Sequence, residues 1–67
     1  MKENLIRARL GALKMSVSEF ARQMGLSRPT ARKKVDGERQ FKVSEVEKAC
    51  AVLNIPKEEA HLYFFNF

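Results

Sequence analysis

One cysteine, one histidine, two prolines, three glycines and no tryptophan among 67 residues leave several kinds of chemistry without raw material. The lone Cys50 excludes an internal disulfide, and no Cys-x-x-Cys pair or other metal-ligand spacing exists, so no metal site is expected. His61 has no acidic or cysteine partner at ligand spacing and reads as a surface or semi-exposed residue, whereas Cys50 falls on an apolar helical face as buried packing. No nucleophile-and-base arrangement can be drawn from one His and one Cys so far apart, and Glu58-Glu59 read as a helix start; no catalysis and no cofactor or small-molecule ligand are expected. Long hydrophobic runs are also missing. Nothing approaches the roughly 20 apolar residues of a membrane span, and the amino terminus alternates charged and apolar residues, so the expectation is a cytoplasmic protein.

At 45% apolar content a chain this short builds one core, and residues 1–67 read as a single domain. Such a core is marginal, which makes a supplement from helix packing or self-association worth expecting. The net charge of +5 is unevenly placed. Residues 28–42 carry Arg28, Arg32, Lys33, Lys34, Arg39 and Lys42 against Asp36 and Glu38, net +4; residues 43–67 hold Lys48 and Lys57 against Glu45, Glu47, Glu58 and Glu59, net −2. Six basic groups in fifteen residues suit a polyphosphate surface, through Coulomb attraction and counterion release; the same run also reads as a solvated face with no partner.

Periodicity predicts helices throughout and no strands. The first runs from about Asn4, its cap, to Lys14, with Ile6, Leu10 and Leu13 on one face. The second opens at Ser16, with Glu19 three residues on completing a capping box, places Val17, Phe20, Ala21 and Met24 in a stripe, and stops at Gly25. Ser27 caps the third, Arg28 to Val35, and Pro29 sits in its first turn, where a missing amide hydrogen costs nothing. Only Ala31 and Val35 make its inward strip, which leaves Arg28, Thr30, Arg32 and Lys33 outside. Asp36-Gly37 end it, and a loop with Arg39, Phe41 and Lys42 leads to the fourth helix, Val43 to Leu53, with Val43, Val46, Ala49, Cys50 and Leu53 inward and Asn54 closing it. Pro56 opens a fifth, with Glu58 and Glu59 in its first turn, which runs into Tyr63, Phe64 and Phe65.

The stretch SVSEFARQMGLSRPTARKKVDGE is thus a short helix, a tight glycine turn and a second short helix. Ala21 is small where two helices cross, Gly25 makes the turn and Leu26 fills the gap between them. On these residues the chain resembles the phage-repressor and Cro-like helix-turn-helix family, also called XRE, over essentially its whole length. The ending LNIPKEEAHLYFF is similar to the last helix of small regulators from phages of Gram-positive bacteria. The resemblance implies an all-α, compact five-helix bundle of the lambda-repressor-like type, with its helix-turn-helix at 16–35, acting in the cytoplasm of a bacterial host cell. Val17 stands where the family often has Gln, and Lys34 where it often has an apolar residue; the second departure implies that Val35 supplies the inward anchor and that the helix is turned slightly about its axis.

Under that resemblance the third helix enters the major groove of an operator, and its amino-terminal residues lie over base edges. Arg28 and Lys33 can donate to the acceptor pair of guanine; Thr30 can donate to a base or meet a thymine methyl with its own; Pro29 can meet a thymine methyl or simply start the helix; Arg32 is shared between bases and phosphate. Ser16, Ser27, Arg39 and Lys42 are expected on phosphates, with pure capping the other role of the two serines. On the fifth helix Ala60, Tyr63, Phe64 and Phe67 form an apolar stripe that Leu62 and Phe65 widen; Tyr63, Phe64, Phe65 and Phe67 are expected both in the core and at the interface of a homodimer, the other reading being that Tyr63 and Phe64 close the core while Phe65 and Phe67 fray at the chain end.

The expected function is transcriptional regulation through double-stranded DNA, as a repressor or Cro-like regulator, since 67 residues leave no room for a sensor or self-cleavage domain. A competing reading is a helix-turn-helix protein-interaction module acting on a repressor or polymerase subunit. The cations Arg28, Arg32, Lys33 and Lys34, in place of aromatic anchors, weigh against it.

Overall fold

The computed structural model describes residues 4–64, which are all-helical; no strand occurs among them. Each long helix starts where a side chain satisfies amide hydrogens that have no helical partner. Before α1 (Leu5–Ala12), the Asn4 side chain accepts from the Arg7 amide at 3.0 Å. Before α2 (Val17–Met24), Ser16 accepts from the Glu19 amide at 3.1 Å, and before α3 (Arg28–Val35), Ser27 accepts from the Thr30 amide at 3.3 Å. At α4 (Val43–Leu53) the cap position is Lys42, which has no acceptor to offer; Glu45 reaches back instead and accepts from the Lys42 amide at 2.8 Å. Pro56 then leads into a 3-10 turn, Lys57–Glu59, and the short α5, Ala60–Phe64.

All four long helices end alike. Lys14, Gly25, Gly37 and Asn54 take left-handed backbone, with φ of 55°, 73°, 85° and 55°. In each case the next amide bonds five residues back: Met15 to the Leu10 carbonyl, Leu26 to Ala21, Glu38 to Lys33 and Ile55 to Cys50, all at 2.9 Å. This Schellman arrangement satisfies the last carbonyls and folds the following residue back over the helix end. Met15, Leu26 and Ile55 are thereby turned onto the core. Glu38 is the polar exception, and after it the chain leaves along the exposed 37–40 loop.

Phe20, Leu53 and Val35 are fully buried, and Ala21, Ala31 and Ala49 bring α2, α3 and α4 close together. Helix α1 and its cap tie the ends of α3 and α4. The Asn4 amide nitrogen donates to the Val35 carbonyl at 2.8 Å, Arg7 pairs with Asp36 just beyond α3, and Arg9 donates to the carbonyls of Leu53 and Asn54, each at 2.8 Å. Two arginines of α1 and its cap residue thus cover the carbonyl ends of α3 and α4, where a cation is favoured by the helix dipole.

Several local expectations are corrected. Helix α1 stops at Ala12 because Lys14 turns left-handed. The Glu19 carboxylate does not complete a capping box; it accepts from Gln23 at 2.9 Å and from Arg22. Val43 is 74% exposed and is not part of the inward face of α4. Lys34 is buried, not part of a basic outer face. The last helix begins as a 3-10 turn that carries Glu58 and Glu59, so that α5 proper starts at Ala60.

Candidate nucleic-acid interface

The site is built on α2 and α3, which pack together more extensively than any other helix pair among the described residues. Gly25 makes the reversal between them: its left-handed φ of 73° suits a residue with no Cβ, and the nearest neighbour to a Cβ there is Lys48 Nζ at 3.9 Å, so conformation and not space selects glycine. On α3, Ala31, Lys34 and Val35 are buried, and the exposed Arg28, Pro29, Arg32 and Lys33 share an arc of about 140°, given 100° per residue.

These side chains are not equivalent. Among the described residues neither Arg28 nor Lys33 has a carboxylate within ion-pair distance, whereas Arg32 Nε lies 3.8 Å from Asp36 Oδ2. Asp36 also takes Arg7, so two arginines share its charge. Thr30 is half-buried, and its hydroxyl oxygen accepts from the Ser27 hydroxyl at 2.9 Å. Ser16 and Ser27 are exposed, and both use their oxygens as caps. Beside the start of α3, Val17, Ser18, Arg28, Pro29 and Arg32 line an open depression.

Arg39 and Lys42 are exposed on the loop after α3, and neither has a carboxylate within ion-pair distance among the described residues. Three contacts hold that loop. The Arg39 amide donates to the Lys33 carbonyl at 3.3 Å, the Lys42 amide donates to Glu45, and the Phe41 ring is lodged edge-on between Phe20 at 6.3 Å and Phe64 at 5.0 Å. Lys34 lies under the same loop, with Nζ paired to Glu45 and 5.8 Å from the centre of the Phe41 ring.

The titratable groups follow from these partners. The Lys34 ammonium, then the Lys42 amide, hold the Glu45 carboxyl below its usual range. Gln23, then Arg22, do the same for Glu19, and burial pushes the Cys50 thiol up. His61 is exposed and Cys50 buried. Among the described residues no group of three or more His, Cys, Asp or Glu side chains could hold a metal ion, and no helix is long and apolar enough to cross a membrane.

Tyr63 and Phe64 are half-buried against the core, with their rings 6.4 Å apart; Phe65 and Phe67 lie outside the described residues. The sequence reading overlooked the work of Lys34, Glu45, Phe41, Arg7 and Arg9. For Lys34 a signal existed, because it stands three residues after Ala31 on the inward strip. The partners of Arg7 and Arg9 are 29 and 44 residues away, and no local pattern marks them.

No curated protein and no solved structure matches this chain. A family model described as "Protein of unknown function (DUF739)" matches residues 13–67, from the end of α1 onward. Because that match takes in most of its length, this chain belongs to the DUF739 family.

Proposed function

We propose that this chain is a sequence-specific double-stranded DNA-binding regulator of the Cro-like helix-turn-helix type, with α2 and α3 as its helix-turn-helix and α3 as the helix that enters the major groove. The observation that carries the reading is the outer arc of α3: Arg28 and Lys33 stand exposed and free of carboxylate partners among the described residues, next to a second free pair, Arg39 and Lys42, on the following loop. A solvated face needs no such division. A groove reader needs donors over base edges and cations over the flanking phosphates.

In this reading Arg28 and Lys33 read bases, with Thr30 supplying one more donor and Pro29 an apolar contact. Arg32, drawn toward Asp36, leans to the backbone. Ser16 and Ser27 present the amino-terminal ends of α2 and α3 to phosphates while they cap them. The protein acts as a two-fold pair, with α5 at the interface. Leu62, 48% exposed, is its outward apolar residue, and Tyr63 and Phe64 divide their area between core and partner. Control of a phage or mobile-element operator, in the cytoplasm of a bacterial host, fits this architecture.

Selection of bound duplexes from a random pool, followed by a salt titration on the selected site, tests the proposal. The expected result is a preferred two-part sequence, with half-sites about 34 Å apart and affinity that falls steeply with salt. Equal affinity for all duplexes, or no binding at low salt, would overturn it.

A further inference from the structure

The depression beside the start of α3 has an unusual lining for a surface so rich in cations. Val17, at the first turn of α2, and Pro29, at the first turn of α3, put two apolar groups on its walls, and Arg28, Arg32 and Ser18 complete the lining. Val17 is half-buried and Pro29 exposed. Pro29 starts α3 and Val17 packs partly against the core, and each still turns part of its apolar surface to the depression. A depression lined by two apolar side chains and two arginines suits a small apolar group embedded in an anionic, acceptor-rich surface. The major groove of duplex DNA offers one such group, the 5-methyl of thymine, one base step from the acceptors that an arginine takes on guanine.

Building on the DNA-reading assignment of α3, we infer that Val17 and Pro29 together form a thymine-methyl pocket, which makes the preferred half-site contain a thymine beside the guanine taken by Arg28. Val17 is then a specificity-determining residue supplied by α2, and the base preference at that step is decided by two helices. Burial of the methyl between Val17 and Pro29 discriminates thymine without any hydrogen bond. Arg28 and Arg32 set the register through the neighbouring guanine and the backbone.

The test uses the intact protein and its selected duplex, in which thymines are replaced one at a time by deoxyuridine, so that only the methyl is removed. One replacement per half-site, next to a guanine, is expected to weaken binding about fourfold, the effect of losing one buried methyl-sized group. Val17→Ala and Pro29→Ala are expected to bind the thymine and deoxyuridine duplexes within about twofold of each other at that position, with circular dichroism reporting their folding. The methyl pocket is overturned, and DNA reading by α3 is left standing, if a preferred site emerges but every deoxyuridine replacement leaves affinity unchanged. It is equally overturned if the folded variants keep the full discrimination. Failure of the pool to yield any preferred sequence overturns both assignments together. If a variant does not fold, the deoxyuridine comparison with the intact protein decides alone.

Discussion

The ammonium of Lys34, on a side chain only 6% exposed, is paired with the Glu45 carboxylate, and this contact joins the end of α3 to the start of α4. A charge in that position is costly to desolvate, and it is tolerated because the carboxylate and the face of Phe41 both meet it. Glu45 in turn accepts from the Lys42 amide, so one carboxylate holds both the buried cation and the loop that carries Arg39 and Lys42.

Removing the carboxylate's work while leaving the cation should therefore be worse than removing the cation. Glu45→Ala strands a buried ammonium and a cap amide together and is expected to cost about 3 to 5 kcal/mol, whereas Lys34→Met, which keeps the volume, is expected to cost less than about 2. Urea denaturation of the two variants checks the order. Equal losses would mean that the pair is not the coupled unit described.

The same pair sets an acid limb of stability. A carboxyl held below its ordinary value of 4.5 contributes stability that is fully present above that value and is lost as pH falls through the lower, folded value. Unfolding measured from neutral pH down into the range below 4.5 should show a fall in stability that Glu45→Gln reduces. Glu19, lowered by Gln23 and Arg22, acts with the same sign. A Glu45→Gln profile parallel to the parent's throughout would disprove the assignment.

Lys14 and Gly25 occupy the same left-handed position at the ends of α1 and α2, at φ 55° and 73°. A residue with a Cβ is strained there by roughly 1 to 2 kcal/mol, partly offset by the greater freedom that glycine has when unfolded. Lys14→Gly should therefore stabilise by about 0.5 to 1 kcal/mol, and Gly25→Ala should destabilise by about 1, with no clash because the nearest atom is a lysine terminus at 3.9 Å. Thermal unfolding should move in opposite directions for the two variants.

On DNA, base and backbone contacts should separate by their salt dependence. Arg28→Ala and Lys33→Ala are each expected to cost about 1 to 3 kcal/mol and to relax preference at one position per half-site. Arg39→Ala and Lys42→Ala should weaken binding to all duplexes alike and flatten the salt slope by about one unit each. Fluorescence anisotropy on matched and mismatched duplexes over a range of salt distinguishes the classes. A changed base preference for Arg39→Ala with an unaltered slope would move it out of the backbone class.

What the sequence determined by itself was the start of α1, the bounds of α2, α3 and α4, and the outward residues of α3, because caps, left-handed terminators and 3.6-residue periodicity act within a few positions. Asn4, Ser16, Ser27, Gly25 and Asn54 stand at starts or stops in both readings, and Ala31 and Val35 point inward as their spacing requires. Only the tertiary structure decided what the long side chains do. Lysine and arginine look alike in a composition, yet Lys34 is buried, Arg7 and Arg9 close the ends of α3 and α4, Arg32 leans on Asp36, and Arg28 and Lys33 are left unpaired among the described residues. The exposure of Val43 was likewise hidden, since helical spacing marks a face but not whether another element covers its first turn. The physical reason is range. A cap or a turn is a contract between neighbours in the chain, whereas the partner of a cation, or the cover over a valine, comes from wherever the packed helices bring another segment near.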